Sequence, residues 1–143
     1  MNDYRKVGAS LFLSLVASHC AAQVQVENAW IQLALSPNTD HAAYMTINNP
    51  QLRSQTIVGV SADCCNDSIL QKRRREGDKV VLDRLDYLVI PSQGMLQLAP
   101  NELQLTLLEP KEELTDASRV KVTFSFSDGS TQEIELGVKP SQE

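Results

Sequence analysis

"RVKVTFSFSDGSTQEIELGV", residues 119–138, decides the fold class. Val120, Val122, Phe124 and Phe126 occupy alternate positions, and Ile134, Leu136 and Val138 repeat the pattern after a Ser-Asp-Gly-Ser turn. A period of two places each set on one side of an extended strand. The two strands therefore form a hairpin with one greasy face, and such a face is stable only when packed against a second sheet.

Working outward, the same signature recurs. Short alternating runs are interrupted by turn residues at intervals of roughly ten, which marks an antiparallel sandwich or barrel. "VQVENAWIQLAL" (24–35) reads as one strand, or two with a kink, and "SPNTD" (36–40) is a turn cluster. "HAAYMTINN" (41–49) and "QTIVGVSAD" (55–63) are further strands. "SILQKRRR" and "KVVLDRL" flank "EGD", a hairpin in which Gly77 supplies the positive φ that tight turns require. "YLVIPSQGMLQLAP" holds two short strands around a turn, and "NELQLTLLEP" (101–110) alternates Leu103, Leu105 and Leu107 with Gln104 and Thr106. The segment "PKEELTDAS" is a charged loop, and "KPSQE" a loose tail. No repeat or second domain is present, so the expected organisation is one all-β domain over residues 23–139 and a tail at 140–143.

The N-terminus reads differently. Arg5 and Lys6 precede an apolar run from Val7 to Ala17, and small residues Cys20-Ala21-Ala22 follow. This is the layout of a secretory signal peptide over residues 1–22, and the run is too short to span a bilayer as a helix. The expected product is exported to the periplasm and is not itself transmembrane. With 13 basic and 18 acidic residues the net charge is −5, which argues against nucleic acid as a partner. Beyond the signal segment the cysteines are the neighbours Cys64 and Cys65. Their states are a ring between adjacent residues, two free thiols, a link between chains, or a soft-metal site.

No catalytic constellation emerges. His41 has no serine, cysteine or carboxylate signature to partner it, and a histidine opening a strand after a turn is expected at the surface. Glu112-Glu113 sit in a charged loop that solvation explains, and Trp30 and Tyr44 are expected as core aromatics. "QKRRRE" (71–76) is the one basic concentration. On a strand, Arg73 faces away from Lys72 and Arg74, and Glu76, Asp78, Asp83 and Asp86 are near enough to pair across the hairpin. A charged, solvated edge that deters aggregation is the expectation.

The order of these segments, with "AWIQLA", "HAAYMTINN" and "IVGVSAD" as the most specific parts and "IPSQGMLQLAP" and "LLEPKEELTDASRVKVTFSF" after them, resembles the periplasmic copper chaperone family PCu(A)C over residues 26–138. The resemblance implies a cupredoxin-like Greek-key β-sandwich and a role in Cu(I) delivery during cytochrome c oxidase assembly. It also implies a ligand spacing: a His, a Met after ten intervening residues, then, after twenty-one more, a His-x-Met pair. On this chain that spacing falls, without a gap, on Gln71, Leu82, Gln104 and Thr106. Imidazole and thioether suit Cu(I); an amide, a hydroxyl and leucine do not. The expectation is therefore a non-enzymatic binding or interaction module without catalytic, cofactor or metal-site residues. A protein at the membrane or in the periplasm would be its partner. The alternative is a Cu(I) carrier whose ligands have moved to Cys64 and Cys65, with His41 and Met45 sharing a strand face and Met95 as the remaining thioether.

Overall fold

A computed structural model describes residues 24–34, 36 and 39–140. The expected signal segment, part of the turn cluster and nearly all of the expected tail lie outside the described residues. The elements are β1 (Gln25–Gln32), β2 (His41–Asn48), β3 (Gln55–Ala62), β4 (Cys65–Glu76), β5 (Lys79–Leu85), β6 (Leu88–Ile90), β7 (Met95–Leu98), β8 (Leu103–Pro110), β9 (Arg119–Phe126) and β10 (Thr131–Lys139). They form one hydrogen-bonded sheet of ten strands in the order β5-β4-β8-β7-β2-β1-β10-β9-β3-β6, with β8 also pairing with β2. Among the described residues no helix is long and apolar enough to cross a membrane.

The sheet folds over on itself, and its inner face encloses the core. Val120, Val122, Phe124 and Phe126 of β9 are buried there together with Leu136 and Val138 of β10, Ile31, Met45 and Ile47, and Leu105 and Leu107 of β8. Ile134 is partly buried against the same cluster. Burying one such side chain contributes roughly 1.5–3 kcal/mol, so the closing hairpin is held mainly by its contacts with the rest of the core.

The kink in the first segment is a β-bulge. Register slips between Glu27 and Trp30, and Asn28 takes a positive φ of 51°. An extra residue in a strand reverses the parity of everything after it. Val24 and Val26 face the core before the bulge, and Ile31 faces it afterwards. That parity corrects one expectation: Trp30 is not a core aromatic. It stands half-buried on the outer face, its ring 5.2 Å from that of Tyr44, with Lys139 Nζ 5.4 Å from its centroid. Tyr44 is buried, but on the outer side of β2, between Ala43 and Met45, which point inward.

Asn49, at the end of β2, ties the loops together. Its side-chain amide donates to the carbonyls of Arg53 (2.9 Å), Pro91 (3.1 Å) and Ile90 (3.3 Å), and its oxygen accepts from Gln51 N–H (3.0 Å). A buried amide with every group satisfied fixes two backbone segments, 51–53 and 90–91, at once.

The β4–β5 hairpin turns at Gly77, which has φ 62°, with Glu76 opposite Lys79. Beyond the Lys72–Leu103 pair it has no third strand, so its tip is a two-stranded ribbon.

Candidate functional site

Strands β5, β4, β8 and β2 lie side by side, and their outer faces gather the positions singled out by the spacing. Gln71 of β4 is directly opposite Gln104 of β8, and Thr106 is opposite Ile69 on one side and Ala42 on the other. Thr106 Oγ1 donates to Gln71 Oε1 at 2.6 Å, and Gln104 Nε2 donates to Thr106 Oγ1 at 2.9 Å. Three of the four positions thus form one hydrogen-bonded chain. Leu82, opposite Arg73, occupies the same face one pair further along the hairpin and is exposed.

This polar face is not solvated. Gln104 and Thr106 are only 8% and 7% exposed, a burial that is tolerable because Gln104 Nε2 and Thr106 Oγ1 are hydrogen-bonded. Tyr44 shares the face; burial raises its phenol above the ordinary value, while the charge of Arg73 acts in the opposite direction. Arg73 Nη1 donates to Asn101 Oδ1 at 2.9 Å.

His41 corrects a second expectation. It is not a surface residue: only 5% of it is exposed, it lies opposite Leu107, and its Nδ1 accepts from the Ala34 N–H at 3.1 Å. Desolvation lowers its pKa below 6.5, against the pull of Asp40. The accepting Nδ1 assigns the neutral ring with its proton on Nε2. Met45 shares the inner face with His41 and is buried in the core, whereas Met95 is exposed.

Cys64 and Cys65 are joined in a disulfide at the corner between β3 and β4. Cys64 borders an open cleft of about 350 Å³ that is also lined by Asp63, Lys111 and Arg119. Among the described residues, no three His, Cys, Asp or Glu side chains gather as metal ligands.

Sequence reasoning separated Arg73 from Lys72 and Arg74 but did not match it with the residues of the second hairpin strand. Arg73 lies opposite Leu82, Arg75 opposite Val80, and Gln71 opposite Arg84, so all six share the outer face. Arg74 points the other way, where it pairs with Asp83 at 2.8 Å and Glu76 at 3.4 Å. Counting backwards from a two-residue turn would have found this sorting.

Comparisons with known proteins agree with this fold. A family model described as "Putative lipoprotein LpqE-like" matches residues 24–138. "Putative lipoprotein Lxx21020" of Leifsonia xyli subsp. xyli (strain CTCB07) is 29% identical over 117 residues, 81% of this chain and 69% of the relative. The copper-bound PCuAC domain from PmoF2 has a TM-score of 0.67 at 17% identity, over 82% of this chain and 93% of that one. The apo form of DR1885 from Deinococcus radiodurans has a TM-score of 0.64 at 27% identity, over 85% of this chain and 82% of that one.

Proposed function

The chain belongs to the LpqE-like family and has the fold of PCuAC domains, and from that premise we propose that it is an exported, non-enzymatic binding module whose copper-holding face has become a closed polar cluster. The observation that carries this reading is the Gln104–Thr106–Gln71 hydrogen-bond chain, on the positions that the family spacing assigns to the metal. Amide and hydroxyl oxygens are hard, weak donors, and leucine offers none; Cu(I) prefers thioether, thiolate or imidazole. The residues present do not fit the ion. Three of their polar atoms are also engaged with one another, so binding would first break one buried and one half-buried hydrogen bond. Guanidinium groups of Arg73 and Arg84 on the same face add repulsion towards any cation.

Export is supported by the lipoprotein family and relative, and by the N-terminal signal layout. The periplasm is the compartment we assign. A disulfide between Cys64 and Cys65 suits such an oxidising compartment, and it removes both thiolates from competition as copper ligands.

Titration of the full-length protein with Cu(I) against a chromogenic chelator tests the reading. The expected result is no competitive uptake by the oxidised protein, and tight uptake by a variant carrying Gln71→His, Leu82→Met, Gln104→His and Thr106→Met. Tight one-to-one uptake by the unaltered chain would sink the proposal. Uptake that appears on reduction and is lost in Cys64→Ser with Cys65→Ser would move the copper site to the β3–β4 corner.

A further inference from the structure

The hairpin that overhangs the polar cluster is sorted by charge. Its inner face carries Lys72, Arg74 and Asp83, where Arg74 is tied to Asp83 and Glu76. Its outer face carries Arg73, Arg75 and Arg84 around two exposed aliphatic side chains, Val80 (52% exposed) and Leu82 (41%). Among the described residues none of these three arginines enters an ion pair, although Arg73 holds Asn101. The main chain of Arg73 is held separately, its backbone N–H donating to the Glu102 carbonyl at 2.8 Å. In a chain with net charge −5, three unpaired arginines on one face run against the overall balance.

The rim of this face is an unfinished sheet edge. β5 is the terminal strand of the sheet, seven residues long, and contains no proline. The opposite edge, β6, has three residues and is closed by Pro91. Edge strands are commonly protected by charges that repel an incoming strand. Here the acid of β5, Asp83, is turned to the inner face and neutralised by Arg74. What remains on the outer side would attract a strand carrying the opposite charge.

We infer that β5 and the outer face of its hairpin dock an extended acidic segment of a partner protein, added as a further strand. Backbone hydrogen bonds to β5 would give affinity. Carboxylates at alternate positions would stand on the outer face beside Arg84 and within reach of Arg73 and Arg75, their methylene stems lying over Val80 and Leu82, while the intervening side chains face the inner side. An anionic lipid surface could neutralise the arginines but has no strand to offer the free edge, so the peptide is favoured. The inference deepens the proposed binding role, because it makes the face beside the closed polar cluster the binding surface.

The probe is a short peptide of alternating glutamate and valine, with a lysine–valine peptide and an N-methylated glutamate–valine peptide as controls. Binding is followed by calorimetry and by amide shifts of β5. The expected result is binding of the acidic peptide alone, weakened about tenfold or more by Arg73→Glu with Arg84→Glu, and unchanged by Lys111→Ala at the cleft beside Cys64. Arg73→Gln with Arg84→Gln serves if the charge reversal disturbs folding, with an intermediate loss expected. No binding, or binding indifferent to those arginines or to N-methylation, would overturn the inference. So would a face that binds only anionic phospholipid vesicles, or that only joins two copies of this chain. Copper capture by the unaltered outer face defeats the proposed function whatever the peptide does; a copper-free protein that ignores the peptide defeats this inference alone.

Discussion

Strand β8 buries both of its faces, and does so by opposite means. On the inner side Leu105 and Leu107 are 0% exposed and surrounded by other apolar groups; on the outer side Gln104 and Thr106 are almost as deeply covered, but by hydrogen-bonded neighbours. The inner face is held by the amount of apolar surface removed from water, which is non-directional and tolerant of small shifts. The outer face is held by matching each donor to an acceptor, which is directional and weak in net terms. Such a face can change its side chains without loss of the fold. Its partners need only be replaced as a set.

The largest effect should come from cutting into the inner side. Leu105 lies between Leu70 of β4 and Ala43 of β2. Leu105→Ala should remove about 2–5 kcal/mol of stability, read from urea denaturation, because neighbouring strands limit collapse of the cavity. A loss below about 1 kcal/mol would mean that the two layers are not closely packed at this point.

Breaking the outer side should cost less and show a distinctive reversal. Thr106→Val deletes the hydroxyl that accepts from Gln104 and donates to Gln71. Gln71 is half-buried, so water can replace its lost partner, whereas Gln104 is buried. A loss of about 1–2 kcal/mol is expected. Adding Gln71→Leu and Gln104→Leu should recover most of it, since removing all partners leaves nothing unsatisfied. Additive losses in the triple variant would show that the cluster itself stabilises the sandwich.

The same contrast explains what was legible in the sequence. Inner faces were readable wherever parity was undisturbed, as at Val120 to Phe126, where alternation alone names the core. Parity failed at β1, because Asn28 takes the left-handed conformation that admits an extra residue and turns Trp30 outward. Asparagine tolerates that conformation but does not announce it as glycine does. Alternation also places Gln104 and Thr106 on a polar side, yet polarity reads as solvation. Their burial depends on β4 and β2 flanking β8, and only the family spacing tied them to Gln71 and Leu82. His41 was misread for a related reason: the group that satisfies it, the Ala34 N–H, is main chain and leaves no mark in composition.

His41 offers the smallest effect, and it probes the inner side with a polar group. Its Nδ1 accepts from Ala34 N–H, and burial lowers its pKa below 6.5 despite Asp40. Protonation would place a proton on Nδ1 against that N–H, two donors facing each other in a desolvated site. In the unfolded chain the ring takes up its proton near 6.5, so between the folded pKa and that value the unfolded state binds more protons. The stability that the neutral ring contributes is therefore full above about pH 6.5 and declines as the pH falls towards the folded pKa. The melting temperature should fall between pH 7.5 and pH 5 more steeply in the unaltered chain than in His41→Gln, whatever the absolute stability of that variant. Parallel pH profiles would mean that His41 takes up protons alike in the folded and unfolded chains, and that the inner end of β2 is open to water.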